Sequence, residues 1–261
     1  MKRTARLFPL LLGSCLAVCQ AAHPEGHHWA YEGDRGPAAW GDLEKEYATC
    51  KLGHRQSPID ITHAKRSHHG PALSFDYKPT PLKIINNGHS VQVNYAPGSF
   101  LTVGKRRYEL KQLHFHHPSE ERVDGKGYEM VAHLVHADSE GHLGVVAVLL
   151  QSGAESAAMK QLWANLPGTE GEEQAVEGVE VNAADLLPAE LSYYTFQGSL
   201  TTPPCSEGVT WFVLKTPGEV SPEQVKTFAT LYPNDARPVQ PTHGRRVIER
   251  DVRSAPVAKS E

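Results

Sequence analysis

Residues 83–95, 99–113, 131–135 and 143–150 form short runs rich in β-branched and apolar side chains, separated by Gly, Pro or Asn. Such punctuation leaves no room for a helical stripe, whereas strands of this length pair readily. The runs predict a mainly β, single-domain protein with a large twisted, mostly antiparallel central sheet and a few short peripheral helices. Two segments keep helical spacing instead. Ser221-Pro222-Glu223-Gln224 reads as a capping box with Pro at the first helical position, followed by Val225, Phe228, Ala229 and Tyr232 on one face. Met159, Leu162, Trp163 and Leu166 repeat the pattern, and both stripes are expected to face the core. The stretch 168–180 between them is acidic and rich in Gly, and is expected to be a solvated loop.

Composition narrows the function classes. With 39% hydrophobic and 21% charged residues, 22 Gly and 19 Pro, the chain is neither collagen, a disordered tail nor a multi-span membrane protein. Lys plus Arg number 26 against 30 Asp plus Glu, and no basic run tracks a phosphate backbone, so nucleic acid is not an expected partner. At the amino terminus, Lys2, Arg3 and Arg6 precede an apolar stretch, 7–18, that ends in Ala21 and Ala22. The stretch is shorter than the roughly 20 residues a spanning helix needs, and predicts an export signal over 1–22 rather than a membrane span. Cys15 and Cys19 leave lipid attachment as an alternative. The expected organisation is signal 1–22, domain 23–250 and a polar tail 251–261. Signal removal deletes three positive charges, shifting the net charge from -4 to about -7, and leaves Cys50 and Cys205 as the only cysteines. In an oxidising compartment two cysteines predict one disulfide, with two separate buried thiols as the alternative. An exported protein is expected, periplasmic in a cell with two membranes, with secretion to the medium or a lipid anchor as alternatives.

The 15 histidines concentrate the chemistry. In Gln112-Leu113-His114-Phe115-His116-His117, strand geometry sends His114 and His116 from the same face and His117 from the other, so the first two can share one cation. A third ligand from a neighbouring strand can be His133 or His136, which lie on opposite faces of Val131-Ala132-His133-Leu134-Val135-His136. Periodicity alone does not choose between them. If His133 is the ligand, Val135 flanks the metal and His136 becomes a hydrogen-bonded core residue. Three neutral imidazoles would leave a fourth tetrahedral position for water, the catalytic arrangement of zinc, and would leave the ion's charge uncompensated, which acidifies that water.

At this point the sequence resembles the α-class carbonic anhydrases of the bacterial, exported type. The resemblance spans 27–248 and rests on ordered blocks. They begin with His27-His28-Trp29-Ala30-Tyr31, Gly36-Pro37-Ala38-Ala39-Trp40, Arg55-Gln56-Ser57-Pro58-Ile59-Asp60-Ile61 and Asn86-Asn87-Gly88-His89. The histidine strands come next. Gly198-Ser199-Leu200-Thr201-Thr202-Pro203-Pro204, Val209-Thr210-Trp211 and Arg237-Pro238-Val239-Gln240-Pro241 complete the series.

The resemblance implies a zinc lyase, a carbonate dehydratase, that hydrates carbon dioxide reversibly to bicarbonate and a proton by attack of zinc-bound hydroxide. It implies His114, His116 and His133 as the Zn2+ ligands, and in that way selects His133 over His136. It implies Thr201 and Glu120 as the pair that orients the nucleophile, and His89 as the proton shuttle. Val135, Val145, Leu200, Thr202 and Trp211 are implied as the substrate pocket, and Tyr31, Asn87 and Gln92 as borders of the proton-path water network. Gln112, two residues before His114, can accept that ligand's outer N–H. Ser57-Pro58 and Pro203-Pro204 are candidates for cis bonds. A homodimer is compatible with the resemblance, although no residue pattern marks an interface. A non-catalytic binding module on the same fold is the rival, disfavoured because all three histidines are present.

Two positions depart from the family pattern. Where the family usually has Glu two residues before its third ligand, this chain has Val131, and Glu129 lies two residues further away. Position 131 therefore offers His133 no acceptor, and zinc binding is expected to persist with weaker or kinetically altered retention unless water or another residue substitutes. Asp235 stands where the family often has Asn.

Overall fold

The structure, a computed structural model, describes residues 29–68 and 70–251. The expected signal over 1–22 and the tail beyond 251 lie outside the described residues, as do His27 and His28. After two four-residue helices, α1 (Trp40–Leu43) and α2 (Thr49–Leu52), come β1 (Asp60–Ile61), β2 (Lys65–Ser67) and β3 (Leu73–Asp76). The middle of the chain supplies β4 (Thr80–Asn86), β5 (Val91–Asn94), β6 (Phe100–Val103), β7 (Arg106–His116), β8 (Arg122–Val123), β9 (Met130–Ala137) and β10 (Leu143–Ser152). Beyond it lie α3 (Ala157–Trp163), β11 (Gln174–Val181), β12 (Tyr193–Ser199), β13 (Glu207–Leu214), β14 (Gly218–Val220), α4 (Pro222–Ala229) and β15 (Ile248–Arg250).

Thirteen of these strands form one sheet, whose main path runs β11-β4-β5-β7-β9-β10-β13-β12-β15-β2. Most neighbours are antiparallel; β10–β13, β10–β14 and β15–β2 are parallel. The expected run 83–95 becomes two strands because it folds back at Asn87-Gly88. There Gly88 takes φ +83°, and Asn87 Oδ1 accepts the N–H groups of His89 and Ser90 at 3.0 and 2.9 Å. The run 99–113 is likewise divided into β6 and β7, at Gly104 with φ +61°.

One face of the sheet carries the larger apolar cluster, which includes Phe115, Leu134, Val146, Val148 and Phe212 and is covered by Met159 and Leu162 of α3 and Phe228 of α4. Alternation along the same strands sends His114, His116 and His133 to the opposite face, beside a smaller cluster of Ile59, Val131, Val145 and Trp211. β10, covered on both faces, reads as a near-continuous apolar run for that reason. The helix expected at Ser221 forms with both reciprocal capping bonds: Ser221 Oγ accepts from Gln224 N at 3.2 Å, and Gln224 Oε1 accepts from Ser221 N at 3.1 Å.

The expectation of a loop over 168–180 needs correction, since 174–180 belong to edge strand β11, antiparallel to β4. Val176, Val179 and Val181 turn inward while Glu177 and Glu180 stay exposed. A register shift between Ala175 and Glu180 breaks strict alternation, and the acidic outer side blunts an otherwise open edge. Composition hid the strand.

His136 is a core residue on the face away from the triad. The Gly144 carbonyl can only accept, so Nδ1 donates to it at 3.1 Å, and Nε2 accepts from the Tyr77 hydroxyl at 2.6 Å. Burial pushes this imidazole down to about 4, whereas an unfolded His titrates near 6.5. Below about pH 6.5 the unfolded chain binds a proton that the folded chain refuses. Stability is therefore fully present above pH 6.5, declines by up to about 3 kcal/mol between 6.5 and 4, and levels off below. Urea unfolding of the wild type and His136→Gln at pH 7, 5.5 and 4.5 is expected to show a shallower decline in the variant; equal declines would refute the assignment.

Candidate metal centre

Backbone register places the candidate residues in three rows on one sheet face. Gln92, His114, His133 and Ala147 stand side by side across β5, β7, β9 and β10. In the row above, Gln112, Val135, Val145 and Trp211 continue across β7, β9, β10 and β13. Gln112 keeps the same register as His114 and His116, and β7 shifts register only beyond it, between Leu110 and Gln112. The row below holds His116 beside Val131. One ring nitrogen from each of His114, His116 and His133 lies within 4.8 Å of the other two, the one such group among the described residues.

Each ring is oriented by a different kind of acceptor on its outer nitrogen. His114 Nδ1 faces Gln112 Oε1 at 2.8 Å, as the sequence predicts, and His116 Nδ1 faces the Asp235 carbonyl at 2.8 Å. His133 uses Nε2, which lies 3.1 and 3.2 Å from the two carboxylate oxygens of Glu121. Of the outcomes left open by Val131, a substitute residue is the one found: Glu121 takes the place of the missing acceptor. This partner comes from the connection between β7 and β8 rather than from the strand of His133, so no spacing rule along β9 could find it. The only sequence signal is the doubled Glu120-Glu121 after the histidine strand. Asp235 stands out in the sequence only as a departure from the family's Asn; its role behind His116 is not legible there, because the contact is made by the main chain.

The inner side fits a cation. His116 Nε2 and Glu120 Oε2 are buried without hydrogen-bond partners and stand 3.5 Å apart, and the same oxygen is 3.8 Å from His133 Nδ1. Buried polar atoms left unmatched in this way are costly unless an ion completes them. Burial, followed by repulsion from the other imidazoles, holds His114 well below the usual histidine range, and burial and His116 do the same to His133. Both are thus neutral and able to ligate. Burial, reinforced by Glu121, raises Glu120 well above the usual carboxylate range. Burial also pushes Glu121 and Asp235 to about 7.

Glu120 Oε1 accepts the Arg237 N–H at 2.9 Å. The Thr201 hydroxyl faces the same carboxyl and offsets part of its rise, although no bond of normal geometry closes onto Oε2. Arg237 is buried, and its guanidinium donates to Gln56 Oε1, the Ser57 carbonyl and the Cys50 carbonyl at 2.9, 2.7 and 3.0 Å. Cys50 and Cys205 form a disulfide, as expected from their number. The Cys205 N–H donates to the Thr202 carbonyl at 2.8 Å, so the bridge closes directly on the Thr201 loop. Both expected cis bonds, Ser57-Pro58 and Pro203-Pro204, are present, together with a third at His117-Pro118.

Val135, Val145, Leu200 and Trp211 join one apolar cluster, and the Trp211 ring lies 5.0 Å from that of His133. Thr202 follows Thr201 at the half-buried rim. His89, half-buried on the β4–β5 turn, stacks on Trp29 with ring centres 3.6 Å apart. The buried Tyr31 hydroxyl has no hydrogen-bond partner, and Gln92 donates to Asn94 Oδ1 at 2.7 Å. Asn87 spends its side-chain oxygen on the turn that carries His89.

The family model for eukaryotic-type carbonic anhydrase matches residues 35–251. A carbonic anhydrase of Nostoc sp. is 43% identical over 245 residues, covering 92% of this chain and 93% of its own length. One from Neisseria gonorrhoeae is 43% identical over 246 residues, covering 94% and 96%. Among solved structures, the α-carbonic anhydrase of Thermovibrio ammonificans in complex with the inhibitor sulfanilamide superposes with a TM-score of 0.82 at 41% identity, covering 85% of this chain and 99% of that one.

Proposed function

The chain belongs to the eukaryotic-type carbonic anhydrase family and is a lyase of that family, and on that premise we propose that it is a zinc enzyme for the reversible hydration of carbon dioxide. The observation that carries this assignment is the convergence of one nitrogen from each of His114, His116 and His133. A zinc ion held by these three histidines would acidify water and so supply a nucleophile near neutral pH, a behaviour known from carbonic anhydrases themselves.

The remaining work falls to the protein's own residues. Thr201 has one hydroxyl proton and two lone pairs. Donating the proton to Glu120 leaves a lone pair to fix the proton, and so the orientation, of the attacking oxygen. Glu120 is held ready by the Arg237 N–H. Carbon dioxide is small and uncharged, and the apolar row of Val135, Val145, Leu200 and Trp211 receives it, with Thr202 at the rim. A charged clamp would bind bicarbonate instead and slow its release. The product proton leaves through His89, since imidazole is the side chain whose unperturbed titration lies near neutrality; Tyr31, Asn87 and Gln92 border its path.

The proposal extends to the organisation of the chain: an export signal at 1–22, a catalytic domain over 23–250 and a periplasmic destination. The Cys50–Cys205 bridge supports an oxidising compartment, and among the described residues no helix is long and apolar enough to cross a membrane. Metal analysis is expected to find one zinc per chain, with hydration activity lost to an aromatic sulfonamide. A chain that binds no zinc and is inert after loading would overturn the proposal. His89→Ala is expected to lower turnover about 10- to 100-fold in weak buffer, with recovery in imidazole buffer. Undiminished turnover would remove His89 from the proton path.

A further inference from the structure

His133 differs from the other two triad histidines in what stands behind it. His114 rests on an amide and His116 on a main-chain carbonyl, but His133 Nε2 meets both oxygens of a fully buried carboxylate, that of Glu121. The main chain around Glu121 is pinned on several sides. Its carbonyl accepts from Ser119 Oγ at 2.9 Å, and that hydroxyl in turn accepts the Tyr128 N–H at 2.9 Å. The next residue, Arg122, pairs with Asp60 of β1, and its N–H donates to the Ile59 carbonyl at 3.3 Å. The carboxylate is thus delivered by a fastened segment, not by a loose surface side chain. Val131, two residues before His133 on the same face, is fully buried against Ile59, Ile61 and Leu149.

We propose that Glu121 is the positioning residue for His133. It fixes the tautomer with the proton on Nε2, leaves the Nδ1 lone pair for the metal, and does from the β7–β8 connection what the family usually does from the place held here by Val131. A carboxylate behind a ligating imidazole orients the ring and raises its basicity, whichever segment carries it. The relocation also accounts for the apolar residue at 131. A second carboxylate there would be buried together with Glu121 and Glu120, and like charges so close cannot all ionise. Positions 121 and 131 therefore behave as one unit, in which one carboxylate serves the ring from either side.

This assignment rests on the proposal that the triad holds zinc, and its test separates the two. Zinc release to an excess of chelator is measured for the wild type, Glu121→Gln, Val131→Glu and the double variant Glu121→Gln/Val131→Glu. The wild type is expected to retain one zinc per chain; if it takes up none, the metal assignment itself fails, and the Glu121 assignment with it. Glu121→Gln, nearly identical in shape, is expected to release zinc about 10- to 100-fold faster. Its hydration pH profile is expected to shift to lower pH, because a neutral amide donates less electron density through the ring. The double variant, which returns a carboxylate to His133, is expected to recover to within about 3-fold of the wild-type release rate. Val131→Glu alone is expected to be the least stable of the four. Unchanged zinc release in Glu121→Gln, or a double variant that releases zinc as fast as the single, would overturn the assignment. Should Glu121→Gln fail to fold, the double variant must fold and hold zinc, and its failure would count equally against it.

Discussion

Replacing His133 with Ala is expected to abolish zinc retention and lower carbon dioxide hydration by about three orders of magnitude or more, because the metal supplies several kcal/mol of transition-state stabilisation. It is also expected to be the most destabilising of the three single ligand replacements. Removing this ring leaves Glu121 buried with neither oxygen matched by His133, and an orphaned buried polar group costs about 1–3 kcal/mol, more when charged. His114→Ala leaves only Gln112 behind, half-buried and able to turn toward water. Metal content by mass spectrometry and urea unfolding of the metal-free proteins measure the two effects separately. Equal unfolding free energies for the His114 and His133 variants would show that Glu121 finds another partner.

The second large effect is expected from Cys50→Ser/Cys205→Ser. The bridge spans a sequence separation of 155, and the chain-entropy treatment assigns such a loop up to about 5 kcal/mol of stability. For a chain of this size that corresponds to a fall of about 10–20 °C in melting temperature. The loss should not stay confined to stability. The Cys50 carbonyl is one of three acceptors that hold the Arg237 guanidinium, and the Arg237 N–H holds Glu120. The Cys205 carbonyl accepts from Gln56 Nε2 at 3.0 Å, and its N–H fixes the Thr202 carbonyl. Hydration activity should therefore fall well below the melting temperature, by an amount that wild type treated with reductant reproduces. A variant that melts within about 3 °C of the wild type would contradict the entropy argument.

The parts of the molecule that sequence reasoning reached obey local rules. His114 and His116 fall on one face because a strand repeats every two residues, and the capping box at Ser221 forms as written. Gln112 is found by the same period of two. Reasoning fails where the partner comes from elsewhere in the chain. Nothing in the spacing of β9 distinguishes His133 from His136; only pairing with β7 shows which face of the sheet meets the other histidines. Glu121 reaches His133 from outside both strands, and Asp235 acts through its main-chain carbonyl, which any residue type could provide. Edge strand β11 is concealed for a different reason: its valines alternate across a register shift, and its outer side chains are glutamates that suit solvent.

The three histidines sit on two neighbouring antiparallel strands, β7 and β9, whereas Tyr31, Thr201 and Arg237 arrive from remote parts of the polypeptide. Closing a short loop costs less entropy than closing a long one, so nearby pairings tend to form ahead of distant ones. During folding the means of capturing an ion thus assembles before the means of using it. A chain that folds in this order would hold the ion before it could use it, so metal supply during folding would act on folding itself rather than on a finished site.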